Sequence, residues 1–221
     1  MKKIQILKVL VGSRAHGIHE ENADYDYRGV YIEPTSQILS MGYKSKGVSW
    51  VEGETEDQTS YELLHFLKLA MLGHPNILEM FFAPVVECTA DGERLLKLYP
   101  DIWCPQKAYT SFNNYADNRK KHMITTKDNK VALKSAYCYL RVVHNLLELV
   151  RDGSFSMKID AGRVRCLLSD VKSGFYSPGQ VIDIGETVMK DCEAYLEDCN
   201  QKQNPELIHK FYLEMRKKYW E

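Results

Sequence analysis

Two aspartates near the start of the chain have the type and spacing that metal-dependent phosphate chemistry requires. Asp24 and Asp26 stand two residues apart in the stretch 24–32, whose alternating pattern predicts a strand. Residues i and i+2 of a strand point to the same face, so the two carboxylates emerge together, roughly 7 Å apart at the backbone. Carboxylates this close repel each other unless a cation lies between them, and hard oxygen ligands favour Mg²⁺ or Mn²⁺. The pair therefore predicts a metal site suited to two-ion phosphoryl transfer.

A small turn precedes these aspartates and has the features of a phosphate-binding loop. Gly12 permits a close backbone approach, Ser13 offers a hydroxyl and an N–H, and Arg14 adds positive charge. A Gly-Ser pair or an Asp-x-Asp motif alone is common. A strand, a Gly-Ser pair, a gap of about ten residues and Asp-x-Asp on a second strand form a much more specific combination.

The combination resembles the DNA polymerase β-like nucleotidyltransferase superfamily, whose signature is an apolar residue, Gly-Ser, a spacer and Asp-x-Asp. The longer string from Gly12 through Gly17 to Asp24-x-Asp26-x-Arg28-Gly29-Val30 is similar to the RNA-ligase-associated branch of predicted nucleotidyltransferases. Three later blocks also resemble that branch, and they are Asp57-x-x-x-Tyr61-Glu62-Leu63, His74-Pro75-Asn76-Ile77-Leu78-Glu79 and the pair Lys134 and Arg141.

The resemblance implies a two-metal site and a triphosphate site. It implies that two Mg²⁺ or Mn²⁺ ions are held by three catalytic carboxylates, Asp24, Asp26 and Asp57. It implies that an NTP, taken to be ATP, is bound by Gly12, Ser13, Arg14, Lys134 and Arg141. Positions seven apart share a helix face, so Lys134 and Arg141 are placed to direct two cations at the triphosphate.

Several neighbouring residues have competing interpretations. Glu54 and Glu56 compete with Asp57 for the third carboxylate, but only Asp57 begins the Tyr-Glu-Leu block. Glu79 is expected to make a structural hydrogen bond or end a helix. A zinc site at His16 and His19 is a weak alternative, because no helical pattern would bring the two rings together.

Two groups in the second half of the chain are also open to more than one interpretation. The run Arg119-Lys120-Lys121 is typical of a solvated helix end and, less often, of a surface that binds an RNA backbone. Phe211, Met215 and Tyr219 lie at helical spacing, and we expect them to be core residues.

The elements that would position these residues divide into a mixed first half and a helical second half. The pattern predicts an α+β fold, with a small mixed sheet and flanking helices followed by an all-helical half, and the resemblance implies that the sheet is a nucleotidyltransferase sheet. We expect a catalytic domain at 1–105 and a helical domain at 106–221. The predicted strands are 4–10, 24–32, 47–51, 57–60 and 85–88. The predicted helices are 61–72, 91–98, 106–122, 130–151, 161–173, 177–198 and 205–219.

Composition limits the class of protein. The chain has 221 residues and a formal net charge of −1, so no overall basic field indicates nucleic acid. No apolar run reaches the length of a membrane span and no signal-peptide pattern is present, so we expect a cytoplasmic protein. The six cysteines form no C-x-x-C pair, and we expect reduced thiols without structural zinc.

The sequence therefore predicts a metal-dependent enzyme that transfers a nucleoside monophosphate from an NTP to an acceptor hydroxyl and releases pyrophosphate. The resemblance makes an RNA end, such as that of a tRNA, the expected acceptor. Two alternatives stay open: nucleotidylation of a partner protein, and a non-catalytic module that binds nucleotide or RNA.

Overall fold

The computed structural model describes residues 3–19, 21–44, 46–51, 53, 56–159 and 161–221. Within them, one mixed sheet contains the strands β1 Ile4–Val11, β2 Tyr25–Ile32, β3 Val48–Val51, β4 Glu56–Glu62 and β5 Val85–Cys88. The helices are α1 Gly12–Ala15, α2 Thr35–Ile38, α3 Leu63–Met71, α4 Pro75–Leu78, α5 Ala90–Leu96, α6 Tyr99–Ile102, α7 Pro105–Thr125, α8 Asn129–Asp152, α9 Arg163–Ser173, α10 Pro178–Leu196 and α11 Pro205–Lys218, with a 3₁₀ turn at Glu79–Phe81. The predicted α+β class is confirmed.

The sheet is organised around β2, which lies in the middle of the order β3-β4-β2-β1-β5. β1 pairs with β2 antiparallel, and β4 pairs with β2 parallel. The middle of β1 and the far half of β2 are deeply buried, with Leu7, Val30 and Ile32 fully shielded from solvent. The near end of β2, around Asp26, is only partly covered. The central strand therefore runs from a partly exposed end that carries Asp26 into the core.

The helix that was predicted to begin at Tyr61 begins two residues later, at Leu63. Tyr61 and Glu62 instead continue β4, pairing in register with Val30 and Tyr31. The Glu62 side chain accepts a hydrogen bond from the Leu64 N–H at 2.7 Å and so caps the helix. A long-range strand pairing therefore overrides the local helical pattern at these two positions.

The described chain forms two compact units. The first contains residues 1–72, 76–103 and 202–221, and the second contains 73–75 and 104–201. The last helix thus belongs with the sheet rather than with the other helices. Thr35 anchors it, donating from its N–H to the Tyr219 carbonyl at 2.8 Å and from its hydroxyl to the Arg216 carbonyl at 2.6 Å.

The second unit is built around α8, which the sequence pattern predicted to be a helix. The Asp128 carboxylate caps its first turn, accepting from Lys130 N–H at 2.8 Å, and Gly153 ends it with a φ of 74°. α8 packs against α10 at Gly185, where an added Cβ would lie 2.3 Å from the Tyr139 hydroxyl oxygen. Only glycine allows these two helices to approach so closely.

The structure also describes the predicted core residues of the last helix and the six cysteines. Phe211 and Met215 are buried as expected, whereas Tyr219, which was also expected in the core, is only partly buried and donates its hydroxyl to the Asp91 carboxylate at 2.6 Å. All six cysteines are free. Across the described ranges, no helix combines the length and the apolar character needed to cross a membrane.

Candidate active site

Two carboxylates are brought together by the pairing of β2 with β4. Asp26 lies directly opposite Asp57 in the parallel register, and neighbouring strands are about 4.8 Å apart. Residues that are opposite each other on paired strands point to the same face of the sheet. Asp26 and Asp57 therefore form a close pair of like charges at the partly exposed end of the central strand.

The register also distinguishes Asp57 from Glu56, one of its two competitors. Glu56 pairs with Tyr25, and as the neighbour of Asp57 in β4 it points to the opposite face. Glu54 lies outside the described residues. The Asp57 carboxylate accepts a long hydrogen bond from the Gly53 N–H, at 3.4 Å. Of the two described candidates, Asp57 alone shares a face with Asp26.

The Gly12 turn lies against the Asp26 carboxylate. Val11, the last residue of β1, is the register partner of Asp26 on the other side of β2. Gly12 follows with a φ of 71°, in the left-handed region. A Cβ added at Gly12 would lie 2.1 Å from Asp26 Oδ2, much closer than any real contact. The Gly-Ser turn and the second aspartate are therefore one packed unit, and that packing requires glycine.

Asp24 occupies a different environment from Asp26. β2 begins at Tyr25, one residue later than predicted, so Asp24 precedes the strand and is exposed to solvent. The segment in front of it is held by Arg14, whose Nε and Nη2 donate to the Ala23 carbonyl at 2.9 and 2.6 Å. The same guanidinium also lies 3.9 Å from the centre of the Tyr25 ring.

These contacts suggest a positional function for Arg14. Its guanidinium connects the Gly12–Ser13 turn to the backbone immediately before Asp24, so the two halves of the motif are tied together. The hydrogen bonds to the Ala23 carbonyl already engage two donor nitrogens of Arg14. That Arg14 binds a nucleotide phosphate stays a prediction. No local pattern indicated that its partner is a backbone carbonyl nine residues away.

Arg28, two residues after Asp26, makes a partly buried contact that no local sequence pattern indicates. Its Nη1 donates to the Asn76 carbonyl at 2.9 Å and to the Glu79 carboxylate at 3.1 Å. Glu79 is only 2 % exposed, whereas Arg28 is partly exposed, so the carboxylate end of the pair is shielded from solvent. The structural role expected of Glu79 is confirmed. The pair also links the strand that carries Asp26 to the segment 76–79.

The carboxylates of Asp26 and Asp57 fit a divalent cation that completes its coordination with substrate oxygens. Among the described residues, no three His, Cys, Asp or Glu side chains are gathered closely enough to hold a metal ion by themselves. Mg²⁺, however, is commonly bound by one or two carboxylates together with substrate phosphates. Asp26 and Asp57 supply such a pair, next to the Gly12 turn. A ligand role for Asp24 stays a prediction.

The remaining predicted nucleotide-binding residues lie on α8, in the second compact unit. Lys134 is exposed, whereas Arg141 is 6 % exposed. The two share a helix face by their spacing, but their surroundings differ. Contact of either residue with a nucleotide phosphate stays a prediction.

The proposed zinc alternative receives no support from the two histidines. His16 is 4 % exposed, buried in the turn that follows β1, whereas His19 is exposed. Neither residue belongs to a three-ligand group within the described part of the chain.

Comparison with known proteins shows which sequences and structures the chain resembles. Residues 3–161 match the RlaP family, described as the RNA repair pathway DNA polymerase beta family. The chain is 25% identical over 134 residues to the uncharacterized protein YcgL of Bacillus subtilis, covering 60% of this chain and 51% of that protein. It therefore spans about half the length of this curated relative. The crystal structure of a nucleotidyltransferase-like protein from Exiguobacterium sibiricum shares 10% identity at a TM-score of 0.31, covering 88% of this chain and 69% of that one. The family match, which includes both Asp26 and Asp57, is a stronger finding than this structural likeness.

Proposed function

The chain belongs to the RNA repair pathway DNA polymerase beta family, and we propose that it transfers a nucleoside monophosphate from an NTP to a hydroxyl at an RNA end. The observation that carries the proposal is the placement of Asp26 between Gly12 and Asp57. Two carboxylates on one face at a partly exposed strand end form the kind of oxygen-ligand pair that divalent cations prefer. Its presence beside a glycine turn fits a site that receives a metal-bound triphosphate.

The residues would act as follows. Asp26 and Asp57 hold the divalent cations, with Asp24 as a third ligand, and bound Mg²⁺ would neutralise phosphate charge and lower the pKa of the acceptor hydroxyl. The backbone of Gly12 and Ser13 holds the β- and γ-phosphates. The acceptor oxygen attacks the α-phosphorus in line, the bond to the β-phosphate oxygen breaks, and pyrophosphate leaves. The Asp57 carboxylate accepts the hydroxyl proton.

An RNA end is the acceptor that the family description favours. The test uses the purified chain with Mg²⁺, each α-³²P-labelled NTP in turn (ATP first), and either total RNA or a protein lysate. We expect label in RNA and equimolar release of pyrophosphate. Label in protein would redirect the proposal to protein nucleotidylation. NTP binding without label or pyrophosphate in any condition would overturn it and indicate a binding module.

Gly12→Ala tests the packing of the turn against Asp26. The added methyl group must displace the Asp26 carboxylate, because their separation would be 2.1 Å. Displacement of a reacting group by about 1 Å costs on the order of 100-fold in rate. We therefore expect pyrophosphate release to fall about 100-fold, with a modest loss of stability from the left-handed φ.

Gly153→Ala is the matched control. Gly153 has nearly the same φ, 74°, but an added Cβ there meets no atom within 4 Å. This variant should lose about 1 kcal/mol of stability and keep its activity. Equal activity in the two variants would show that Gly12 contributes only its backbone conformation.

A further inference from the structure

The end of α7, the turn after it and the start of α8 form a basic segment in a chain that is otherwise slightly acidic. Residues 119–130 contain five Lys or Arg residues and one Asp, whereas the whole chain has 29 Lys and Arg against 30 Asp and Glu. We refer to residues 119–130 as the basic corner. Its positive charge is local, and a local field of this kind attracts polyanions.

Part of the basic corner is already engaged within the second unit. Arg119 donates to the Tyr115 hydroxyl at 3.0 Å and lies over that ring. Lys120 pairs with Asp117 at 3.2 Å and with Glu186 at 3.7 Å. These two residues therefore support the structural interpretation of the Arg119-Lys120-Lys121 run.

The other three cations of the basic corner are available to a ligand. Lys121, Lys127 and Lys130 are all exposed, and none makes an ion pair with another described residue. The acid among them, Asp128, is used to cap α8, where it accepts from the N–H groups of Lys130 and Val131. Its carboxylate therefore bonds to the helix end, and among the described residues it forms no ion pair with the three lysines.

A pocket of about 450 Å³ opens beside the basic corner. Its walls come from the end of α7, the first turns of α8 and the segment between α9 and α10, and they include Met123, Asn129, Leu133, Ala136, Tyr176 and Ser177. Asn129 and Lys130 are consecutive, so the lysine stands about 100° around the helix from the pocket wall. The cations therefore flank an opening large enough for a nucleobase.

An exposed aromatic residue lies at the same place. Phe175 is 75% exposed, between Gly174 and Tyr176, both of which line the pocket. Its ring meets that of Tyr176 edge to face, with centroids 5.1 Å apart. A large exposed aromatic ring beside exposed lysines is the combination that single-stranded nucleic acids require, because bases stack on the ring while phosphates meet the cations.

We propose that the basic corner, together with Phe175 and the adjacent pocket, binds single-stranded RNA. This inference rests on the proposed function in that it supplies a binding surface for the RNA acceptor. Lys121, Lys127 and Lys130 contact phosphates, and Phe175 stacks on a base. The aromatic ring and the pocket favour RNA over an acidic peptide or an anionic membrane, which lysines alone would not distinguish.

The test measures binding of a short fluorescein-labelled single-stranded oligoribonucleotide by anisotropy, in EDTA and without NTP. We expect the triple variant K121E/K127E/K130E to weaken binding at least tenfold. It should also reduce the salt slope by about 2, because each phosphate that a lysine neutralises contributes roughly 0.7 to that slope. Phe175→Ala should weaken binding by roughly tenfold and leave the salt slope unchanged.

The control is K68E/K97E/K210E, which makes the same change in net charge at three exposed lysines of the first unit. We expect it to keep binding within about twofold of the unmodified chain. Equal weakening by both triple variants, or none by either, would overturn the proposal. So would binding of an acidic peptide or of phosphatidylserine vesicles in place of RNA.

The outcome is separable from that of the proposed function, because binding needs neither NTP nor metal. RNA binding that disappears in the basic-corner variant, with no label transferred by the unmodified chain, would keep the binding site and reject the transferase. Transfer to RNA with an unchanged KM for RNA in that variant would keep the transferase and reject the binding site. Thermal melts followed by circular dichroism verify that all variants are folded.

Discussion

Asp26→Asn and Asp57→Asn are each expected to lower nucleotidyl transfer to RNA by about 10³-fold or more. The register places these two carboxylates opposite each other, so either change removes one of the charges proposed to hold the cations. A loss of about 4 kcal/mol of charge stabilisation in the transition state corresponds to a factor of roughly 10³. Initial rates of labelled-nucleotide transfer, measured across a range of Mg²⁺ concentrations, give the size of the effect.

The same variants should be at least as stable as the unmodified chain. Asn has nearly the shape of Asp, and each change relieves repulsion between neighbouring carboxylates. A higher Tm combined with a loss of activity would identify the pair as a functional site rather than a structural one. Asp183→Asn, at an exposed position of α10, is the control for loss of one carboxylate. Rates within tenfold of the unmodified chain in both Asp26→Asn and Asp57→Asn would reject the assignment.

The transfer rate of Asp24→Asn, compared with the rates of Asp26→Asn and Asp57→Asn, tests whether Asp24 is the third metal ligand. Asp24 is exposed and precedes β2, so its position depends on the Arg14 contacts with Ala23 rather than on sheet pairing. The sequence could not predict the position of Asp24, because the rule that residues i and i+2 share a face holds only inside a strand. The pattern predicted the strand correctly, and the boundary fell one residue later than expected.

Local features of the sequence were sufficient to predict the five strands and the principal helices. Alternation, caps and breakers act over a few residues, as at Asp128 and Gly153 of α8. The place of Asp57 beside Gly12 and Asp26 was anticipated only through motif resemblance. Its actual basis is the parallel register of β2 and β4, which depends on residues about thirty positions apart.

Contacts between distant segments could not be anticipated from the sequence. The return of α11 to the sheet-containing unit is one example, since its amphipathic pattern only indicates that it must cover some apolar surface. The Arg28 contact with Glu79 is another, because an Arg and a Glu 51 residues apart carry no signal of pairing by themselves. Both features depend on tertiary packing rather than on local propensity.

Arg216→Met is expected to have the largest effect on stability. Arg216 of α11 is 7 % exposed, lies 3.2 Å from the buried Glu62 carboxylate, and donates to the Glu33 carbonyl at 3.0 Å. Removing it leaves Glu62 buried without its ionic partner. Breaking one side of a buried pair costs about 3–5 kcal/mol. All three tryptophans, Trp50, Trp103 and Trp220, lie in the unit that contains α11, so urea unfolding followed by tryptophan fluorescence reports on that unit.

The stability that Arg216→Met loses relative to the unmodified chain should increase as the pH rises. Burial raises the pKa of Glu62 above its usual value of 4.5, while the charge of Arg216 lowers it. A carboxyl whose pKa is raised by folding favours the folded state below its unfolded pKa, and this contribution is lost as the pH rises through the folded pKa. Without Arg216 the pKa of Glu62 rises further, so the variant loses more stability between about pH 5 and pH 8 than the unmodified chain does.

The double variant E62Q/R216M separates the ionic effect from the loss of packing. It has no carboxyl to ionise at this position, so its deficit relative to E62Q should be the same at about pH 5 and pH 8. It should also be more stable than R216M at the higher pH, because no buried charge is left unpaired. A deficit of R216M that is constant across this range would show that Arg216 stabilises the fold through its hydrogen bond to Glu33 and its packing alone. A deficit of that kind would also mean that the charge of Glu62 is already screened by solvent in the folded chain.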